Sequence, residues 1–256
     1  MLRLPVSGLP VMFTQPTGFE DLLLQEARTL NTALALELIG RLASAPGHPP
    51  TTWAELTVTD IEALLLLLRR EMLGDRVRGE TRCCQAGCEA QVDISFGIDA
   101  YMKSHKARAP RKLEKTDRAG WFRLSGKGIE FRLPNGTDLI GVDSQKPELE
   151  LTRCCVKPAT VPAGARRQVE QAMEAMAPLL SRMLAGECPE CHAAMEIYFD
   201  VQVFVLRELR NLAAGVYEDV HLLARHYKWA EEKILALPRG RRVRYAEMIR
   251  DEGAAA

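Results

Sequence analysis

Along most of the chain the apolar residues recur at helical spacing, but in two short stretches the spacing drops to two. The first stretch is Cys84 to Tyr101, CQAGCEAQVDISFGIDAY, and the second is Cys188 to Phe204, CPECHAAMEIYFDVQVF. With Cys88 placed on Cys191 they fall into step: Ala90 with Ala193, Val92 with Met195, Ile94 with Ile197 and Phe96 with Phe199. Alternation of this kind predicts a strand with one apolar and one polar face, entered through a cysteine-bearing turn.

Elsewhere the pattern predicts helices. In Val11 to Ala27 a strand-like start and a Pro-Thr-Gly turn lead into a helix. Thr17 is its expected N-cap, and Glu20 and Asp21 lie in the first turn, where acidic groups suit the helix dipole. Ala33 to Leu42 reads equally as strand or helix, and Ser44 to Thr52 as a loop. Val58 to Leu73 predicts a helix capped by Thr59 and closed by Gly74, with Leu64 to Leu68 too continuously apolar for a surface. A further helix is expected over Ala165 to Leu184, running into the second knuckle. Val203 to His226 reads as one long amphipathic helix, with a break at Tyr227 to Trp229. Short helices follow over Ala230 to Leu237 and Arg239 to Arg250.

The order of these signals repeats. MFTQPTGFEDL near the start is matched by IEFRLPNGTDL at Ile129 to Leu139, and Leu36 to Leu38, LEL, by Leu149 to Leu151. Each copy then continues through a loop, a helix, a knuckle and an alternating strand. The fold class expected is α+β: two pseudo-symmetric copies over 11–102 and 129–204, a basic insert at 103–128, and a C-terminal helical segment over 205–252. The LEL triplets are expected as strands.

Composition alters this picture little. The 256 residues carry 34 Lys and Arg against 34 Asp and Glu, so net charge favours no polyanionic partner. Lys103 to Arg118 is the basic cluster of the first half, with seven Lys or Arg and two acidic residues, and reads as a solvated linker. No apolar run approaches the ~20 residues that span a bilayer, and the Pro- and Gly-broken N-terminus is a poor signal peptide. The expectation is a soluble cytoplasmic protein with no membrane partner and no preference as to oligomeric state.

Seven cysteines in such a compartment point to metal ligands or buried thiols before disulfides. Cys188 and Cys191 have the two-residue interval that turns both sulfurs toward one ion. Cys84 and Cys88 have three residues between them, within the range zinc sites accept, and Cys83 competes with Cys84 on the same ground. The predicted metal ligands are Cys84, Cys88, Cys188 and Cys191, shared between the copies and holding a structural Zn2+. Four thiolates leave no position for water, so such an ion activates no nucleophile. His192 is a weaker candidate donor, and Cys154 and Cys155, adjacent in sequence, are expected to be one core and one semi-exposed thiol. No triad order, phosphate-cradling loop or paired-carboxylate pattern stands out, so no enzyme is expected.

Several of these residues together resemble the baseplate hub assembly chaperone-like proteins encoded with contractile phage tails and related injection systems. The resemblance lies in PTGFEDLLLQEA, FRLPNGTDL, DIEALLLLLRREMLGDRV running into a knuckle with VDISF, CPECHAAMEI, and VHLLARHYKWAEEKILALPRGRRVRYAEMI. It covers most of the chain apart from 103–128. It implies a protein without catalysis that assists or joins a tail baseplate, with other tail, baseplate or spike proteins as partners. The competing reading is a zinc-containing nucleic-acid-binding protein, with the C-terminal helices and arginine turn posing as a helix-turn-helix and the basic insert as a phosphate-binding arm.

Overall fold

The structure is a computed structural model that describes residues 2–49, 52–110, 113–126, 128–142, 147–158 and 160–254. Part of the loop expected at 44–52, and Arg111 and Lys112 of the basic insert, lie outside the described residues.

The elements run β1 (Leu2–Arg3), β2 (Pro10–Phe13), α1 (Gly18–Glu26), α2 (Thr32–Leu42), β3 (Ala43–Ser44), a 3-10 turn (Trp53–Glu55), α3 (Val58–Leu73), β4 (Arg76–Arg82), β5 (Gln91–Gly97) and α4 (Ile98–Ser104). Strands β6 (Leu113–Lys115) and β7 (Trp121–Leu124) follow. Then come β8 (Ile129–Arg132), α5 (Gly136–Gly141), α6 (Pro147–Cys155), β9 (Val156–Lys157), α7 (Ala163–Met176), β10 (Arg182–Glu187), β11 (Ala194–Phe199) and α8 (Val201–Leu212). The chain closes with α9 (Val216–Tyr227), α10 (Glu231–Leu235) and α11 (Arg239–Ala254). The fold is a mixture of helix and sheet, as expected.

One sequence of elements occurs twice: strand, two helices, a two-residue strand, a helix, a hairpin and a helix. In the first half this is β2 to α4, and in the second β8 to α8. The short strand pairs antiparallel with the strand that opens the unit in both halves, Phe13 opposite Ala43 and Phe131 opposite Val156.

Several expectations are corrected. Both LEL triplets lie in helices, α2 and α6. In α2 the buried residues Leu34, Ala35, Leu38, Ile39 and Leu42 follow the helical period, which a strand could not bury on one face. The helix expected to reach Leu184 ends at Met176, and 182–187 form β10. The long C-terminal helix is broken at Ala213 to Gly215 into α8 and α9. The insert read as a linker contributes β6 and β7, which extend β8 and β9 into a four-stranded sheet over its own small core around Phe131 and Val169.

Helix α3 is the axis. Residues 59–69 are all buried, and Leu64 to Leu68 meet α8 and the bases of both hairpins in the main core. Its cap is Thr57, whose side chain accepts from the Asp60 N–H at 3.2 Å; Thr59, expected there, is one turn inside. The buried charges of α3 act as anchors. Asp60 accepts the Val6 and Ser7 N–H groups at 2.9 Å, and Glu62 accepts Leu180 N–H at 2.7 Å, just before β10. Arg69 pairs with Glu208 of α8 at 2.9 Å. Burial pushes the Asp60 and Glu62 carboxyls above the usual range, against the pull of those N–H donors.

The two Pro-x-Gly turns do one packing job twice. Each closes a capping box, Thr17 with Glu20 and Asn135 with Asp138. Each then lies against the start of a distant helix, Thr17 bridging to Pro238 and Asn135 to Thr57. The glycine is the contact point. A Cβ on Gly18 would come within 2.7 Å of Leu235 Cδ2, and one on Gly136 within 2.8 Å of Ile61 Cδ1. Nearby, Asp21 is fully buried between Arg239 and Arg242, and Asp219 takes Arg242 and Arg250. Two of the four residues of the arginine turn are therefore engaged inside the protein.

Candidate metal centre

Two hairpins build the centre. Strand β4 pairs with β5 and β10 with β11, and in each the second strand alternates as expected: Val92, Ile94 and Phe96 in one, Met195, Ile197 and Phe199 in the other, turn inward. The first strands carried little signal. RVRGETR offers a single fully buried residue, Val77, and RMLAGE offers none. Exposure on nearly every position erases the periodicity from which a strand is read.

Both turns are closed alike. The first cysteine after the last paired residue, Cys83 or Cys188, donates its N–H to an alanine carbonyl, Ala90 at 2.9 Å or Ala193 at 3.0 Å. This register makes Cys83 the counterpart of Cys188 and leaves Cys84 pointing outward, exposed. The structure thus brings together Cys83, Cys88, Cys188 and Cys191, with all four sulfurs within 4.8 Å of one another. Of the four ligands expected from the sequence, Cys88, Cys188 and Cys191 lie in this group, and Cys83 stands where Cys84 was expected. Spacing alone could not decide between the two; the hairpin register does.

Across the hairpins, Cys83 Sγ lies 3.6 Å from Cys191 Sγ and Cys88 Sγ 3.8 Å from Cys188 Sγ. A tetrahedron with Zn–S bonds of ~2.3 Å has edges of about 3.8 Å, so these separations fit four thiolates around one ion. A small apolar shell of Ala90, Met195, Val92 and Ile197 surrounds the sulfurs.

The electrostatics ask for a cation. Backbone N–H groups of Cys191 and Glu190 point at the Cys188 sulfur and bring its thiol down to about 7. At Cys83 the Gln85 N–H acts in the same sense, but burial and the three neighbouring sulfurs outweigh it and hold that thiol up at about 12. Cys88 is raised as well, the Ala90 N–H opposing the sulfur of Cys191 and burial. One sulfur can ionise among its neighbours; four cannot without a positive ion between them. The set suits a metal ion held by the protein alone, with no open position.

The remaining candidates lie elsewhere. His192 is exposed, its Nδ1 2.7 Å from Glu187, and it adopts a φ of 58° in the left-handed region where glycine is usual. Cys155 is buried and Cys154 exposed, as expected, although the two sit at the end of helix α6 and not in a strand. Burial pushes the Cys155 thiol up to about 12. His221 is exposed on α9, and His226 faces Glu252 at 3.8 Å.

The hairpins also touch at their bases. Phe96 and Phe199 meet edge to face, Tyr101 packs on both, and its hydroxyl donates to the Leu180 carbonyl. The sequence singled out both phenylalanines as equivalents but gave no sign that they are neighbours. Among the described residues no helix is long and apolar enough to cross a membrane. No family model, curated protein or solved structure matches this chain.

Proposed function

We propose that the protein is a non-enzymatic assembly chaperone or adaptor of a contractile phage tail or related injection system, acting in the cytoplasm, with its paired hairpins fastened by structural zinc. The observation that carries the structural half is the meeting of four sulfurs from two hairpins at one point, in a set that leaves no ligand position for substrate or water. A closed thiolate site holds shape and supplies no chemistry, which suits a protein whose work is docking. Zinc is the ion favoured by four soft thiolates in tetrahedral array.

The recurrence of one element order, with equivalent hairpins sharing one ion, supports descent from a duplicated unit. The assembly role rests on the resemblance in the capped turns, the knuckles and the ending. Those same segments hold the fold's most demanding contacts, Gly18 on Leu235, Gly136 on Ile61, and Asp21 between two arginines. The nucleic-acid reading loses two of its phosphate-binding candidates, because Arg239 and Arg242 are committed to Asp21.

The test is direct. Tagged protein expressed together with tail genes should retain baseplate or spike proteins through purification, and elemental analysis should find one zinc per chain. A metal-free protein that retains none of them would end the proposal.

A further inference from the structure

Between the first turn of α3 and the end of α7 lies a cavity of about 270 Å3. Its walls are apolar, chiefly Val58, Leu133, Leu139, Met173 and Leu179, and its mouth carries Glu170 and Glu174. Two features set it apart from an ordinary packing gap. Thr59 also lines it, and although only 1 % exposed its hydroxyl has no hydrogen-bond partner among the described residues. Leu179, on the rim, is 43 % exposed. A buried hydroxyl without a partner is a rarity that calls for an explanation, and a missing ligand atom is one.

The mouth is anionic. Glu170 and Glu174 have no ion-pair partner among the described residues, and no cationic side chain lines the cavity. Helix α7 ends here without a basic residue in its last turn, so the negative end of its dipole is uncompensated. Apolar walls, one waiting polar atom and an acidic rim describe an occupant that is apolar along its body, polar at its tip and flanked by positive charge.

We infer that this cavity is a docking pocket for a Tyr or Trp side chain carried on a cationic segment of a partner protein. Aromatic side chains with a polar handle are the usual anchors of such pockets, and the volume accommodates either ring. The inference rests on the reading of the protein as one that binds other proteins, and it names the chemistry of one contact.

Three Lys-rich peptides of equal length, labelled with fluorescein and bearing Trp, Phe or Ser at the centre, test it by anisotropy, together with a Glu-rich Trp peptide. The Lys–Trp peptide should bind, the Ser and Glu-rich versions at least about tenfold more weakly, and the Phe version between them. Glu170→Lys with Glu174→Lys should weaken Lys–Trp binding about tenfold. Thr59→Val should erase the preference for Trp over Phe while leaving the free protein as stable or more so. Folding of each variant is checked by its melting curve and metal content.

Equal binding of all four peptides, or Lys–Trp binding unchanged in the charge-reversal variant, would overturn the inference. So would a dimer dispersed by those reversals, which would give the pocket to a second copy. Failure of Lys–Trp to bind removes the pocket but leaves retention of tail proteins untouched, so the two readings fail separately.

Discussion

Phe96 and Phe199 meet edge to face with ring centroids 5.3 Å apart, at equivalent positions of two hairpins whose sulfurs meet at the other end. The hairpins are therefore joined twice, by aromatic packing at the base and by thiols at the tip. The base belongs to the main core and the tip to a separate small cluster. This division determines what loss of the metal should do.

Cys188→Ser or Cys191→Ser should abolish stoichiometric metal and raise amide exchange in 83–92 and 188–197, with the main core still folded. Structural zinc contributes ~10–16 kcal/mol in peptides that fold only around it. Here the global loss should be smaller, because the bases stay packed. Cys84→Ser should change neither readout. Native mass spectrometry and hydrogen exchange check both; an unaltered metal content in Cys191→Ser would refute the assignment.

Asp21→Ala should destabilise the protein by about 3–5 kcal/mol, since it leaves Arg239 and Arg242 charged without their shared partner. The damage should concentrate where α10 and α11 dock. Urea denaturation gives the magnitude, and early proteolytic cleavage between 228 and 238 locates it.

Gly18→Ala and Gly136→Ala should each cost about 1–3 kcal/mol, because the added methyl meets Leu235 in one turn and Ile61 in the other. Gly164→Ala, in α7 with nothing near its Cβ, should be neutral or stabilising. Thermal melts of the three variants separate close packing from the general preference for alanine in helices.

Glu62 gives a pH signature. Burial raises its folded-state carboxyl above 4.5, so at neutral pH the buried charge opposes folding. As pH falls through the raised value toward 4.5, the folded state takes up a proton before the unfolded state does, and stability attributable to this group rises. Glu62→Gln cannot titrate. The stability of the natural protein relative to this variant should therefore increase between pH 7 and 4.5; a constant difference would show that the carboxyl does not titrate there.

The residues that spoke clearly in the sequence are those whose role is local. A capping box needs only four neighbouring positions, so Thr17 and the Pro-x-Gly turns were legible, and Leu64 to Leu68 announced a buried helix by apolarity alone. Three of the four clustered cysteines could be named from spacing. What stayed hidden depends on partners far along the chain. Arg76–Arg82 is a strand because β5 pairs with it, and little in its own pattern says so. Cys83 displaces Cys84 through a register fixed by Arg82 opposite Gln91. The break after Leu212 comes at Ala213 and Ala214, residues that would continue a helix anywhere else, with Gly215 the one hint. The inward turn of Arg239 and Arg242 could not be foreseen without placing Asp21 beside them.

The separation of the two knuckles also bears on how the chain is made. Cys88 and Cys188 are 100 positions apart. At ~5–20 residues per second the ribosome delivers the second knuckle roughly 5–20 s after the first. Through that interval the nascent chain holds half a chelate, able to scavenge ions loosely but not to enclose one. Capture of the ion is thus a late event in biogenesis, and an elongation arrest before residue 191 should yield a product that loses its metal readily on dialysis.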